Sequence, residues 1–287
     1  MASERVWLIT GASSGFGQEL AKVVLSKGDR VIATSRNPEK ITGLTGAKSA
    51  HLDQNESLDK VKADVEKIIA IYGTVDIVVN NAAYVQGGTV EESTPEEMQT
   101  QFQANVFGPI NVYRAILPHI RAKGTGTLVT MGSMAAWFTL NGCNLYNASK
   151  AAIRWLVLGM AEEIKPFGIK HCLVEPGFFR TQLLNPTGNF TSTKTSRIPE
   201  YDEINKNSDA AFTAFHGSQL GDPVKGCEIL YDVITSSGVA AGRELPSLLP
   251  LGSDATGLLT KTSQDTIDQV KELATISGMS DIPQESK

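Results

Sequence analysis

Tyr146 and Lys150, in the run Tyr146-Asn147-Ala148-Ser149-Lys150, stand four residues apart, a spacing that puts both on one face of a helix. A lysine ammonium beside a phenol favours the phenolate, which makes a tyrosine usable as an acid near neutral pH. Tyr-x-x-x-Lys is a short pattern that chance supplies readily, so its meaning rests on what else the chain holds. A second group is Thr10-Gly11-Ala12-Ser13-Ser14-Gly15-Phe16-Gly17, lying between an apolar run and a helical pattern. Glycines there permit a tight turn and close backbone approach, and the helix start offers unpaired N–H groups to a phosphate. Strand, glycine turn and helix in that order form the setting of a dinucleotide site, with Gly11, Ser13, Ser14, Gly15, Phe16 and Gly17 as candidate contacts.

The same residues also satisfy Gly-x-Ser-x-Gly, the elbow that would present Ser13 as a hydrolase nucleophile. That alternative needs a later acid and histidine. Of His51, His119, His171 and His216, only His216 falls in a plausible loop. The choice of dinucleotide follows from the end of the second strand, Thr34-Ser35-Arg36-Asn37, which has no acid at its tip. A carboxylate there would suit the ribose hydroxyl of NAD; Arg36 suits the 2′-phosphate of NADP.

These groups must be positioned by elements, and hydrophobic periodicity predicts them. Strands are expected at 6–9, 30–34, 50–52, 75–79, 126–131 and 170–174, with another near 245–249. Helices are expected at 16–27, 57–71, 94–122, 145–165 and 222–235, with a last one beginning near 254. Thr94-Pro95-Glu96-Glu97 has the composition of a capping box with proline at the first helical position. Strand and helix in alternation predict an α/β fold, a Rossmann-type doubly wound parallel sheet of about seven strands with helices on both faces. No repeat or linker divides the chain, so residues 1–287 read as one domain. Residues 176–221, rich in Thr, Asn, Pro and Ser, break the rhythm and read as a loop-rich substrate lid. Phe178, Phe179, Leu183, Leu184, Phe190, Phe212 and Phe215 give that lid an apolar character and point to a hydrophobic small molecule.

A hydrophobic fraction of 41% and a charged fraction of 20% are those of an ordinary globular chain. A net charge of −5 argues against a general nucleic-acid partner. No apolar run reaches membrane-spanning length, and no secretory or lipidation signal is expected at either end. Three scattered cysteines predict free thiols rather than a disulfide framework or a zinc site, and a cytoplasmic setting.

With the glycine turn in place, the chain resembles the short-chain dehydrogenase/reductase family in its compact single-domain branch, along nearly its whole length. The motifs fall in family order: Asp53 after the third strand, Asn80-Asn81-Ala82-Ala83 after the fourth, Asn105 inside a helix, Ser133 thirteen residues before Tyr146, and Pro176-Gly177 with Thr181 after the sixth strand. Ala83 and Met131-Gly132 depart from the usual Gly and Ser-Ser. The segments 174–181 and 249–254 are similar to the hydroxysteroid and retinol dehydrogenase neighbourhood. The resemblance implies hydride transfer between NADPH and a carbonyl or alcohol. Ser133 would polarise the substrate oxygen, Tyr146 supply the proton, Lys150 tune Tyr146 and bind the nicotinamide ribose, and Asn105 hold a relay water. Asp53, Asn81, Ala82, Pro176, Gly177 and Thr181 would complete the cofactor contacts. It also implies a homodimer or homotetramer. A catalytically silent NADP-sensing regulator is the non-enzymatic alternative, although such proteins usually lack one of the three catalytic groups.

Overall fold

The computed structural model describes residues 4–184, 189–193, 197–215 and 217–282. His216 and the side chains of Leu184, Phe212 and Phe215 lie outside that description. The main sheet contains β1 (Val6–Thr10), β2 (Arg30–Ser35), β3 (Lys48–His51), β4 (Ile77–Asn80), β6 (Gly126–Met131), β7 (Ile169–Pro176) and β9 (Leu248–Leu251), in the order β3-β2-β1-β4-β6-β7-β9. Every pairing is parallel. The order reverses between β1 and β4, so the carboxyl ends of the strands part there into a crevice, as open α/β sheets do at such a switch point.

The strands are apolar on both faces because helices cover both. On one side Trp7, Ile9, Val31, Ala33, Val79, Val129 and Val174 pack with α1 (Gly15–Ser26) and α7 (Pro223–Thr235). On the other, Leu8, Ile32, Val78, Leu128 and Leu173 meet α2 (Leu58–Tyr72), α4 (Gly108–Lys123) and α5 (Asn144–Ile164). The alternation along each strand is the period of two that a pleated backbone imposes. Each such fully buried aliphatic side chain contributes roughly 1.5–3 kcal/mol, so the strand ends are held firmly.

The elements agree with the periodicity to within a few residues, with three differences. The helix expected over 94–122 is interrupted. After α3 (Pro95–Phe102), residues Gln103–Phe107 form a π turn, and α4 then continues. Hydrophobic spacing carries no mark of a single extra backbone residue. The stretch 176–221 is more ordered than a loop. It holds β8 (Phe190–Ser192), which pairs in parallel with β5 (Val85–Gly87) in a separate two-stranded sheet, and α6 (Asp202–Phe215). The last strand lies at 248–251, because it must align with Leu173–Pro176 of β7. The capping box at Thr94 forms as expected, with Glu97 N–H donating to Thr94 Oγ1 at 3.2 Å and Thr94 N–H to Glu97 Oε2 at 3.0 Å. The final helix, α8 (Ser253–Gly278), starts against the sheet through Ala255 and Leu259.

Candidate active site

A cavity of about 930 Å³ runs along the carboxyl ends of β1, β2, β4, β6 and β7. At one end it is lined by Ser35, Arg36, Asn37 and Lys40; the glycine turn and Asp53 follow; at the other end stand Ser133, Tyr146 and Lys150. Gly11 and Gly15 have φ of 64° and 57°, left-handed values that favour glycine. A Cβ on Gly17 would lie 2.5 Å from Asn81 Nδ2 and 2.6 Å from Gly11 O, so the first helical turn and the loop after β4 meet only because Gly17 has no side chain. Asn81 fastens that junction: its amide donates to Thr10 O at 2.9 Å and Gly11 O at 3.3 Å, and the Asn81 and Ala82 N–H groups both donate to Thr10 Oγ1. Ser14 occupies the N-cap of α1 with no side-chain bond to the helix, which leaves the start of the helix to the cavity rather than to its own cap. This uncapped helix start, in an elongated cleft with cations at one end, fits a dinucleotide.

The other expected contacts fall on the same cleft. Asp53 lines it, with Oδ1 accepting from Asn55 N–H at 3.0 Å, so its carboxylate also shapes the turn into α2. Pro176 at the end of β7 and Gly177 and Thr181 beyond it line the cleft as well. Phe16 packs edge-on against Phe179, with ring centroids 4.9 Å apart, joining the glycine turn to the segment after β7. Ser13 lines the cavity as well, but among the described residues no histidine does. His51 pairs with Asp64, His119 accepts from Val75 N–H and His171 bonds Thr130, all away from Ser13. The hydrolase arrangement therefore has no base among the described residues.

At the chemical end, α5 brings Tyr146 and Lys150 onto its buried face. Burial pushes the Tyr146 phenol above its ordinary range, and a hydrogen bond with Ser133 opposes this. Ser133 Oγ also accepts from Ala135 N–H at 3.1 Å, which fixes the turn after β6. Lys150 Nζ lies 5.7 Å from the Tyr146 ring centroid and donates to Met131 O at 2.8 Å. Burial lowers the Lys150 pKa to about 8, with Glu175 acting against that fall. Burial prevails over the Ser133 bond, and Lys150 is not among the groups that shift the phenol, so the expected depression by Lys150 does not appear.

Asn105 sits in the π turn. Its amide donates to Tyr84 O at 3.0 Å and Ser149 Oγ at 3.1 Å, and its Oδ1 accepts from Tyr84 N–H at 3.2 Å. A helical asparagine thereby finds the specific bonds that its poor propensity requires. Several cavity residues carried no sequence signal of their own: Lys40 beside Arg36, Tyr84 opposite Asn105, and Phe138, Leu140 and Cys143 around Tyr146. Burial raises the Cys143 thiol to about 12, and Tyr84 to about 12 with Glu97 adding to the effect. Phe138, Leu140 and Cys143 surround Tyr146 because the turn 134–137 and the segment 138–143 fold over it, a tertiary arrangement without local pattern.

A dinucleotide-shaped crevice ending on a Ser–Tyr–Lys group defines a Rossmann-fold oxidoreductase. The profile of the short chain dehydrogenase family matches residues 5–191, and the chain belongs to that family. It is similar to the uncharacterized oxidoreductase YusZ of Bacillus subtilis, 31% identical over 83% of this chain and 87% of the relative. It is similar over a shorter stretch to the 3-ketodihydrosphingosine reductase of Bacteroides thetaiotaomicron, 37% identical over 62% of this chain and 65% of that one. A crystal structure of a short-chain dehydrogenase from Streptomyces avermitilis superposes with a TM-score of 0.86 at 34% identity, covering 98% of this chain and all of the other.

Proposed function

We propose that the protein is an NADP-dependent carbonyl reductase or alcohol dehydrogenase acting on a hydrophobic small molecule. The observation that carries this reading is the convergence of Ser133, Tyr146 and Lys150 at one end of a cleft whose other end presents Arg36 and Lys40. The cofactor, when bound, supplies or accepts the hydride. Gly11, Ser13, Ser14, Gly15, Phe16 and Gly17 would hold its phosphates, Asp53, Asn81 and Ala82 its adenosine side, and Pro176, Gly177 and Thr181 the nicotinamide side. Arg36 has no ion-pair partner among the described residues, and with Lys40 it suits a 2′-phosphate.

Ser133 donates to the substrate oxygen and stabilises the charge that develops there. Tyr146, kept protonated by burial, passes its proton to that oxygen. Lys150 attracts the phenolate left behind and would hold the nicotinamide ribose. Asn105, whose amide donates to Tyr84 and Ser149, would hold the relay water. Phe138, Leu140, Phe178, Leu183, Val85 and Cys143 around Tyr146 support an apolar substrate, as does likeness to a 3-ketodihydrosphingosine reductase. The reading includes a cytoplasmic homo-oligomer, for which the exposed Phe107 and Trp155 on the α4 and α5 side offer contact surface. No helix among the described residues is long and apolar enough to cross a membrane.

The test is nicotinamide absorbance with NADPH or NADH over a panel of ketones and aldehydes graded in apolar size. Turnover with NADPH that rises with apolar size is the expected result. Preference for NADH would overturn the role of Arg36, and inactivity on every carbonyl would favour a silent NADP-sensing regulator.

A further inference from the structure

Behind Lys150 lies a carboxylate to which the mechanism above assigns no task. Glu175, next to last in β7, has a fully buried side chain. Its Oε1 accepts from Arg154 Nη1 at 3.0 Å, and its Oε2 from Trp137 Nε1 at 2.6 Å. The Arg154 guanidinium lies 4.2 Å from the Trp137 ring centroid, so the three side chains close on one another. Lys150 stands one turn before Arg154 on α5 and is likewise buried. The backbone linking Met131 to Ser133 runs against this group: a Cβ on Gly132 would lie 3.1 Å from Glu175 Cγ. Around Lys150 the chain thus places Tyr146 and Arg154 from α5, Ser133 and Trp137 from the turn after β6, Cys143 before α5, and Glu175 from β7. Asp254 of α8 stands beyond Gly177, its carboxylate accepting from the Phe178 and Ala255 N–H groups.

We propose that Glu175 is a positioning residue of this site: its charge keeps Lys150 an ammonium inside the protein, and its bond to Trp137 holds the turn that carries Ser133. The proposal rests on the catalytic reading of Tyr146 and Lys150. Arg154 pairs directly with this buried carboxylate and cannot give up its proton, while Lys150, bonded to Met131 O one residue before Gly132, feels the same charge from farther away. A buried ammonium left without a counter-charge neutralises rather than remain charged, so loss of the carboxylate falls on Lys150. Glu175 opposes the downward pull of burial on Lys150, and Lys150 and Arg154 oppose the upward pull of burial on Glu175. The Met131 carbonyl offers a dipole but no charge. A role confined to satisfying Arg154 and Trp137 would affect stability and leave the titration of Lys150 where it is.

The test compares Glu175→Gln, which keeps an acceptor for Trp137, with Glu175→Asp, which keeps the charge. Carbonyl reduction is followed against pH at saturating NADPH, and the Lys150 side-chain nitrogen is titrated by NMR, with its signal assigned by Lys150→Arg. In Glu175→Gln the alkaline limb and the NMR titration should both move to lower pH by about one unit or more, and Glu175→Asp should return them towards the parent value. A folded Glu175→Gln protein with both readouts unmoved overturns the proposal. Should Glu175→Gln fail to fold, Arg154→Met keeps the carboxylate and removes the competing cation, and the titration must then move to higher pH; an unmoved titration overturns the proposal there as well. The NMR arm needs no turnover. A protein inactive on every carbonyl would therefore refute the functional reading while the charge coupling is still decided.

Discussion

The floor of the cleft and its roof are held by different forces. The floor is made of the ends of β1, β4, β6 and β7 and the first turns of α1 and α5, whose neighbours are the aliphatic side chains of both cores. The roof, Asn189 and β8, packs Phe190 beside Tyr146, and it and the following residues 197–215 are also fastened through buried polar contacts. Glu92 Oε2 accepts from Thr89 Oγ1 at 2.7 Å, and its Oε1 accepts from Ile198 N–H at 2.8 Å and Asn205 Nδ2 at 2.9 Å, with Arg197 3.6 Å away. Thr193 Oγ1 donates to Glu97 Oε2 at 2.8 Å, so the carboxylate that closes the capping box of α3 also holds the strand over the cavity. Apolar burial is non-directional and insensitive to pH, whereas a hydrogen-bonded carboxylate is lost when protonated. On the proposed reading, reaction class depends on the part held by apolar burial, and substrate selection on the part held also by polar groups.

Substitutions in the two regions should separate accordingly. The largest effect is expected from Tyr146→Phe, which should lower kcat by about 10²–10⁴-fold, the range proton transfer contributes, with NADPH affinity unchanged. Stopped-flow turnover and fluorescence titration check the two halves, and full residual turnover would remove Tyr146 from the chemistry. Next, Arg36→Ala should weaken NADPH by roughly 10- to 100-fold, since hydrogen bonds to charged groups contribute about 1.5–3 kcal/mol, while NADH binding stays as it was. Equal loss for both cofactors would mean that Arg36 does not distinguish them. Gly17→Ala forces a Cβ against Asn81 and Gly11; it should cost about 1–3 kcal/mol in thermal or chemical unfolding and weaken both cofactors together.

The roof should respond more gently. Glu92→Gln is expected to raise KM several-fold with kcat nearly kept; a fall in kcat alone would place Glu92 with the floor. The smallest effect is that of pH. Burial by itself would raise the Glu92 carboxyl, but the Ile198 N–H, the Asn205 amide, Thr89 and Arg197 prevail and hold it below its ordinary 4.5. A carboxyl lowered on folding stabilises above its ordinary value, and that contribution fades as pH falls through the lowered folded value. Limited proteolysis within residues 197–215, which Glu92 holds through Ile198 and Asn205, should therefore accelerate in that acid range while the far-ultraviolet circular dichroism of the sheet persists. Unchanged cleavage would mean that the apolar contacts of Phe190 alone hold the roof.

Much of this was legible in the residues. The strand–glycine turn–helix and the Tyr146–Lys150 spacing are local patterns, because a tight turn and a shared helix face depend on neighbours within a few positions. The strand and helix order follows from periodicity for the same reason, and so does the capping box at Thr94. The π turn at Asn105 was not legible: it is selected by bonds from Tyr84 and Ser149, residues 21 and 44 positions away. Nor was the β5–β8 pair, whose partners are short, lie about a hundred positions apart in sequence and carry no alternating pattern.

The residue order by itself determined the alternating α/β architecture, the dinucleotide turn and the helical Tyr–Lys pair, since each arises from contacts that the chain makes with itself nearby. Only the tertiary structure decided that Lys150 and Glu175 are buried, that burial raises the phenol and that β8 lies along the cavity. Those are properties of charge, solvent exclusion and pairing between segments far apart in sequence, and they exist only once the sheet has brought the segments together.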